Sequence, residues 1–215
     1  MSDTRFYAFV RALVYGICKV LFRVQISGKE HVPTSGVFIV APSHRSYFDT
    51  PFASFITRRR IRFMAKEELF ANSFGSKLFT ALGGIPVTRG SASARSAMKA
   101  IQAALEAGEP AALYPEGTRR HGPDIGELFD GTAYLAVKLG IPIVPVGIGG
   151  SEEILASGSK LPKLHKVSVK VGAPIVPPAD ASTRKRSDLV AISDELMKSL
   201  QSLFDEARAE AGCTP

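Results

Sequence analysis

Short apolar, β-branched runs alternate along this chain with stretches of helical periodicity. Residues 36–41 (Gly-Val-Phe-Ile-Val-Ala), 61–65, 110–114, 141–148 and 167–171 read as buried strands. Residues 23–27 and the segment around Ile85 to Val87, set between two turns, read as two more. Between them lie amphipathic stretches. Ser91 or Ser93 can cap a helix whose Ala97, Met98, Ile101, Ala104 and Leu105 share one face and which Gly108 stops. Residues 128–139 and 186–209 read as helices, the second carrying Leu189, Ile192, Leu196, Leu200 and Leu203. Thr50-Pro51 reads as an N-cap followed by proline at the first helical position of a short helix. Strands alternating with helices predict an α/β fold, a largely parallel mixed sheet flanked by helices.

The first segment departs from this alternation. From Arg5 to Val24, Arg5, Arg11, Lys19 and Arg23 fall within roughly one third of a helical wheel. Phe6, Phe9, Val10, Leu13, Val14, Ile17, Val20 and Leu21 dominate the rest. A basic stripe on so apolar a helix fits a membrane interface. It fits equally a core helix with a solvated stripe. The organisation expected is a membrane-interface helix over residues 1–24 and an α/β domain over 25–215. Arg58-Arg59-Arg60-Ile61-Arg62 adds a cationic cluster suited to anionic headgroups, or a solvated charge run.

Composition narrows the picture. The 215 residues, 45% hydrophobic and 22% charged, suit one globular domain with a sizeable core. A formal net charge of +7 fits anionic partners: lipid headgroups, phosphorylated ligands, an acidic carrier protein or nucleic acid. Cys18 and Cys213 stand near opposite ends, without metal spacing, and suit a reducing compartment. No segment resembles a cleavable signal peptide, and no apolar run is long and charge-free enough to span a bilayer. Paired zinc ligands of the H-E-x-x-H or C-x-x-C kind are absent from the sequence, so no metal is expected.

Two stretches carry candidate chemistry. In Pro42-Ser43-His44-Arg45-Ser46-Tyr47-Phe48-Asp49-Thr50-Pro51, His44 sits between a strand's C-terminal end and a helix N-terminus, a frequent place for α/β active sites. Five residues on a continuous helix would hold His44 and Asp49 apart. Across a loop that folds back they meet, and the carboxylate then orients the imidazole as a general base for an alcohol. The alternative is a loop histidine beside an N-capping aspartate. In Tyr114-Pro115-Glu116-Gly117-Thr118-Arg119-Arg120, a strand ends in a loop offering carboxylate, hydroxyl and guanidinium together. Guanidinium suits bidentate contact with phosphate oxygens, Thr118 and nearby amides add neutral donors, and Arg89 follows a different strand as a second cation. Glu116 either pins an arginine or accepts a substrate hydroxyl.

With these residues in view, the chain resembles the glycerolipid acyltransferases. His44 to Asp49 is similar to that family's H-x4-D motif, and Gly84-Ile85-Pro86-Val87-Thr88-Arg89 to its second motif. Tyr114 to Arg119 matches its F/Y-P-E-G-T-R motif residue for residue, and Ile141-Pro142-Ile143-Val144-Pro145-Val146 its fourth, apolar motif. All four stand in the family's order between His44 and Val146. The resemblance implies acyl transfer, without a cofactor, from a thioester on coenzyme A or acyl carrier protein to a glycerol hydroxyl, with lysophosphatidic acid the first-choice acceptor. Glycerol 3-phosphate, another lysophospholipid or a glycolipid are the alternatives. It implies a catalytic pair, His44 and Asp49, loop N–H groups for the oxyanion, and substrate binding by Arg89, Glu116, Gly117, Thr118 and Arg119. Lys66, after a strand, is a further phosphate cation. No G-x-S-x-G elbow is present, as suits a thioester that is already activated. An anionic membrane surface is the expected partner, at the cytoplasmic face, peripheral or monotopic; nucleic acid is not expected. A non-catalytic protein binding anionic lipid or nucleic acid is the competing class, and it would have no use for a base–carboxylate pair. His31, His121 and His165 have no motif context and are expected at the surface.

Overall fold

The computed structural model describes residues 2–87, 91–155 and 162–213. Five strands form the main sheet: β1 (Gln25–Ser27), β2 (Ile39–Pro42), β5 (Ala111–Ala112), β6 (Ile143–Gly149) and β7 (Ser168–Val171), in the order β1-β7-β6-β2-β5. A two-stranded ribbon of β3 (Phe63–Lys66) and β4 (Gly84–Val87) continues it beyond β5 through a parallel bridge between Arg62 and Ala111. Among the strand ladders of the described residues, only β6–β7 is antiparallel, with one further antiparallel bridge between Ile143 and Ile175. β2, β3, β5 and β6 therefore run the same way and deliver their following loops to one edge, where α/β folds place their sites. The α/β fold, mostly parallel with helices on both faces, is the one the hydrophobic alternation predicts.

Strand parity builds two cores. Val40, Val144, Val146 and Ile148 point to one face with Cys18 of α1 (Ser2–Leu21) and Phe52 and Ala53 of α2 (Asp49–Ser54). Ile39, Ala41 and Ile143 point to the other. There they meet α4 (Ser91–Glu106), α5 (Gly131–Leu139) and α7 (Arg186–Ala211) through residues such as Ile101, Leu135, Leu196, Leu200 and Phe204. On that face β6 carries Gly147 and Gly149. A Cβ on Gly147 would stand 2.3 Å from the Leu203 carbonyl carbon, and one on Gly149 2.3 Å from the Arg208 nitrogen. The backbone of α7 thus lies directly on the backbone of β6, an approach only glycine permits.

Several local readings change. α2 starts at Asp49, with Phe48 at the N-cap position and no side-chain cap. Thr50 is inside the helix and its Oγ1 meets the Tyr114 hydroxyl at 2.9 Å instead, a tertiary partner that local capping rules do not see. The strand expected over residues 110–114 shortens to two ladder residues, because the chain bends at Tyr114-Pro115 to form the loop beyond it. α3 (Ser73–Ala81) and α6 (Ser151–Ile154) were not expected. The first is capped by Asn72, whose side chain accepts from the Gly75 amide at 2.7 Å. Its Ser-rich, Gly75-containing sequence has little helical propensity. Gly75 is nevertheless needed, since a Cβ there would come within 2.4 Å of the Leu69 carbonyl oxygen.

α1 presents two different faces. Tyr7, Val14, Tyr15 and Cys18 turn toward the body, and Arg11 donates to the Ser54 and Phe55 carbonyl oxygens at 3.4 and 3.0 Å, closing the C-terminal end of α2. Arg11 is therefore not part of a wholly solvated stripe. On the opposite face Phe6, Phe9, Leu13, Ile17 and Val20 are exposed, Phe9 by 66% and Val20 by 77%. Among the described residues no helix is long and apolar enough to cross a membrane.

Candidate active site

The loop leaving β2 folds back on itself, and Asp49 is the reason. Its fully buried carboxylate accepts from the Arg45 and Ser46 amides through Oδ2, at 2.6 and 2.7 Å, and from His44 Nδ1 through the same oxygen at 3.0 Å. Oδ1 accepts from the Ser151 hydroxyl at 2.6 Å, reaching across to the first turn after β6. Asp49 thus caps the loop before it rather than its own helix. With Nδ1–H donated to a carboxylate, the neutral imidazole carries its lone pair on Nε2. The ring is stacked on Tyr114, centroids 3.9 Å apart and planes 26° from parallel, which fixes its tilt. Burial, and secondarily the Asp49 charge, push the Tyr114 phenol well above its ordinary range, so it stays a neutral platform.

Glu116 is fully buried. Its oxygens accept from Arg45 Nη1 at 2.9 and 2.8 Å, from the His44 amide at 3.1 Å and from the Gly126 amide at 3.0 Å. Of its two expected roles, the geometry gives the ion pair, and the arginine is Arg45. Arg45 also donates to the carbonyl oxygens of His44, Gly122 and Asp124 and lies 4.6 Å over the Phe204 ring of α7. The amides of residues 44–46 are consequently all committed to carboxylates, so oxyanion donors would have to come from other loop N–H groups. Gly117 turns at φ +68°, and a Cβ there would strike the Phe129 ring at 2.7 Å, so the motif glycine is a steric requirement.

One cavity of about 1330 Å³ joins these elements. His44, Tyr47, Lys66, Tyr114, Gly117, Thr118 and Arg119 line it, together with apolar groups such as Val14, Phe55, Phe63, Met64, Leu82 and Met98. Its volume exceeds the roughly 300–1,000 Å³ usual for a single small ligand. Lys66 and Arg119, from two different strand ends, stand exposed on it and make no ion pair among the described residues. His121 also lines the cavity while remaining exposed. Arg89 lies outside the described residues. Arg45, Tyr47 and Ser151 escaped sequence reasoning. Two of them occupy variable positions inside the H-x4-D stretch, and Ser151 acts across 102 positions, with only its place after a strand to mark it.

One largely apolar cavity of the α/β sheet thus gathers an oriented imidazole, its buried carboxylate partner and two cations that make no ion pair among the described residues. The family model described as Acyltransferase matches residues 23–149, and the chain belongs to that family. Among curated proteins, the 1-acyl-sn-glycerol-3-phosphate acyltransferase of Bacillus subtilis is 27% identical over 187 residues, covering 85% of this chain and 90% of the relative. The bovine 1-acyl-sn-glycerol-3-phosphate acyltransferase alpha is 27% identical over 196 residues, 90% of this chain, which spans only 65% of that relative's length. The crystal structure of the 1-acyl-sn-glycerophosphate (LPA) acyltransferase from Thermotoga maritima superposes with a TM-score of 0.71 over 94% of this chain and 86% of that one, at 23% identity, and shares the fold.

Proposed function

We propose that this enzyme moves a fatty acyl group from a thioester, on coenzyme A or an acyl carrier protein, to the free hydroxyl of lysophosphatidic acid, yielding phosphatidic acid. The observation that carries the reading is the single cavity bearing both the His44–Asp49 pair and the unpaired cations Arg119 and Lys66. In this reading His44 Nε2 takes the hydroxyl proton as the acceptor oxygen attacks the thioester carbonyl. The tetrahedral intermediate collapses, the C–S bond breaks, and the proton passes from the imidazolium to the departing thiolate. Asp49 holds the imidazole through Nδ1 and supports its transient charge, while Glu116 and Gly117 shape the loop. Arg119, with Thr118 and Lys66 beside it and Arg89 assigned from sequence alone, receives the acceptor's phosphate; the apolar walls receive acyl chains. The assay that tests this compares acylation of lysophosphatidic acid, glycerol 3-phosphate and other lysophospholipids with one radiolabelled donor. Faster turnover of an acceptor without a phosphomonoester would overturn it.

Arg119 provides a sharper test. A charge-assisted hydrogen bond contributes about 1.5–3 kcal/mol, so Arg119→Ala should lower kcat/KM for lysophosphatidic acid roughly tenfold to 150-fold. Arg119→Lys should lose less, keeping the charge but not the fork. Both losses should fall on the acceptor's KM and shrink for an acceptor lacking phosphate. Equal losses on the two acceptors would remove Arg119 from phosphate recognition.

The same reading puts residues 1–24 at the membrane, with the 25–215 transferase domain beneath them on the cytoplasmic face, bound without spanning. Its support is the exposed apolar stripe of α1, too continuous for an ordinary solvated helix face, flanked by Arg5, Lys19 and Arg23. Phe9→Glu with Leu13→Glu alters exposed positions and should spare the fold. Flotation with anionic vesicles should then drop at least tenfold, since burying one large apolar side chain contributes about 1.5–3 kcal/mol. In the wild type, high salt should weaken only the electrostatic share of binding. Undiminished flotation of the double variant would place the contact elsewhere.

A further inference from the structure

The middle of the His44–Asp49 stretch carries an aromatic residue that the reaction itself does not require. Tyr47 is 56% exposed, lines the cavity, and stands beside two of its cations, Arg119 and Lys66, that make no ion pair among the described residues. The Arg119 guanidinium carbon lies 3.5 Å from the Tyr47 ring centroid and one Nη donates to the Tyr47 hydroxyl at 2.8 Å; Lys66 Nζ lies 5.7 Å from the same centroid. We propose that Tyr47 is a positioning residue that seats both Arg119 and Lys66 at its ring without neutralising them, and so favours acceptors bearing a doubly charged phosphomonoester. This rests on the assignment of Arg119 to the acceptor phosphate.

The argument is one of charge accounting. Three other arginines are held by acids, Arg45 with Glu116 at 2.8 Å, Arg60 with Glu109 at 2.6 Å and Arg208 with Glu152 at 3.3 Å, whereas Arg11 rests on carbonyl oxygens and Arg59 lies 5.3 Å from the Phe38 ring centroid. A carboxylate between Arg119 and Lys66 would order them equally well, but would leave a net single positive charge for the ligand. An aromatic face attracts a cation through its quadrupole and carries no charge to subtract. Both cations keep their full charge, and the flexible lysine and arginine stems lose part of their freedom before the ligand arrives, which is preorganisation. A phosphomonoester carries about −1.5 to −2 at pH 7, whereas a phosphodiester carries only one negative charge. The paired, unneutralised cations match the former. The hydroxyl of Tyr47 adds one hydrogen bond to Arg119; the ring supplies the rest of the seat.

The test measures kcat and KM for wild type, Tyr47→Phe, Tyr47→Ala, Tyr47→Glu, Arg119→Ala and the Tyr47→Ala/Arg119→Ala double variant, with one acyl thioester in mixed micelles. The acceptors are lysophosphatidic acid, lysophosphatidylglycerol and monoacylglycerol. Tyr47→Ala should raise the KM for lysophosphatidic acid roughly fivefold or more, two cation–π contacts being lost. kcat and the donor's KM should move far less, and the penalty should shrink for the diester and again for monoacylglycerol. Tyr47→Phe should recover most of the loss. Tyr47→Glu should lose the phosphomonoester preference more fully than alanine does, because it supplies the missing countercharge. The double variant should be no worse on KM than Arg119→Ala by more than the share Lys66 carries, about threefold. A loss on kcat alone, equal losses on all three acceptors, or a fully multiplicative double variant would overturn the role of Tyr47. If Arg119→Ala is impaired on lysophosphatidic acid and Tyr47→Ala is not, the inference falls while the phosphate reading stands. If Arg119→Ala itself is unimpaired, the phosphate reading falls and takes the inference with it.

Discussion

Replacing His44 with alanine should cut turnover a hundredfold or more, the range general acid–base catalysis commonly contributes, with the acceptor's KM little changed. The two side chains in contact with the ring cannot stand in for the imidazole. Tyr114, stacked against it, is held neutral by burial and its hydroxyl is engaged with Thr50. Asp49 is fully buried and spends its oxygens on His44, two amides and Ser151. Asp49→Asn should cost less than loss of the base. The amide oxygen can still receive Nδ1–H and the loop amides, and its NH2 can face the Ser151 hydroxyl, but the charge that supports the imidazolium is gone. Asp49→Ala should be worse for a different reason: it leaves the Arg45 and Ser46 amides without their acceptor, at about 1–3 kcal/mol for each buried donor. Steady-state kinetics on the three variants, with a melting curve for each, separates lost chemistry from lost folding. Turnover of His44→Ala within about twofold of wild type would remove it from the reaction.

Glu116→Gln should destabilise the chain by about 3–5 kcal/mol, because it leaves the Arg45 guanidinium buried without its countercharge. Arg45 and Glu116 side chains are 1% and 0% exposed, so solvent cannot make up the loss. For a chain of this size each kcal/mol shifts the melting midpoint by about 2–4 °C, so a drop of roughly 6–20 °C is expected. Equilibrium denaturation should show a lower midpoint with an unchanged slope. The result also decides what the motif glutamate does. A variant as stable as wild type but weak in acceptor binding would mean that Glu116 meets the substrate. A variant that is unstable yet, at low temperature, keeps its acceptor KM would mean that it holds the loop.

The sequence reading went furthest where physics is local. Strand parity and helical period located the sheet and the faces of α4 and α7, since apolar burial repeats every two or every 3.6 residues whatever the distant partner is. The meeting of His44 with Asp49 was legible as one of two readings, a loop that folds back. What makes it fold back was not: two amides and a serine from another strand end converge on one carboxylate, and no spacing announces such convergence. Arg45 illustrates the same limit. Inside a motif of four unspecified positions it resembles any exposed arginine, yet it is 5% exposed and gathers three carbonyl oxygens and a carboxylate. α3 was missed because serine and glycine argue against a helix locally, while its glycine answers to a tertiary contact with the Leu69 carbonyl.

The seating of α7 on β6 bears on the life of the chain as it is made. Every recognisable motif lies before residue 150, and all of it emerges from the ribosome well ahead of residues 186–211. Yet the Arg45 guanidinium rests on Phe204, the Ile125 amide is received by the Gln201 side chain at 2.7 Å, and Gly147 and Gly149 await a helix backbone. A nascent chain that has displayed all its signature residues still lacks the wall against which the Glu116 loop is set. Competence is therefore expected to require the docking of α7 and not merely the presence of the motifs. Proteolysis that clips α7 is therefore expected to silence the enzyme while leaving its motifs intact.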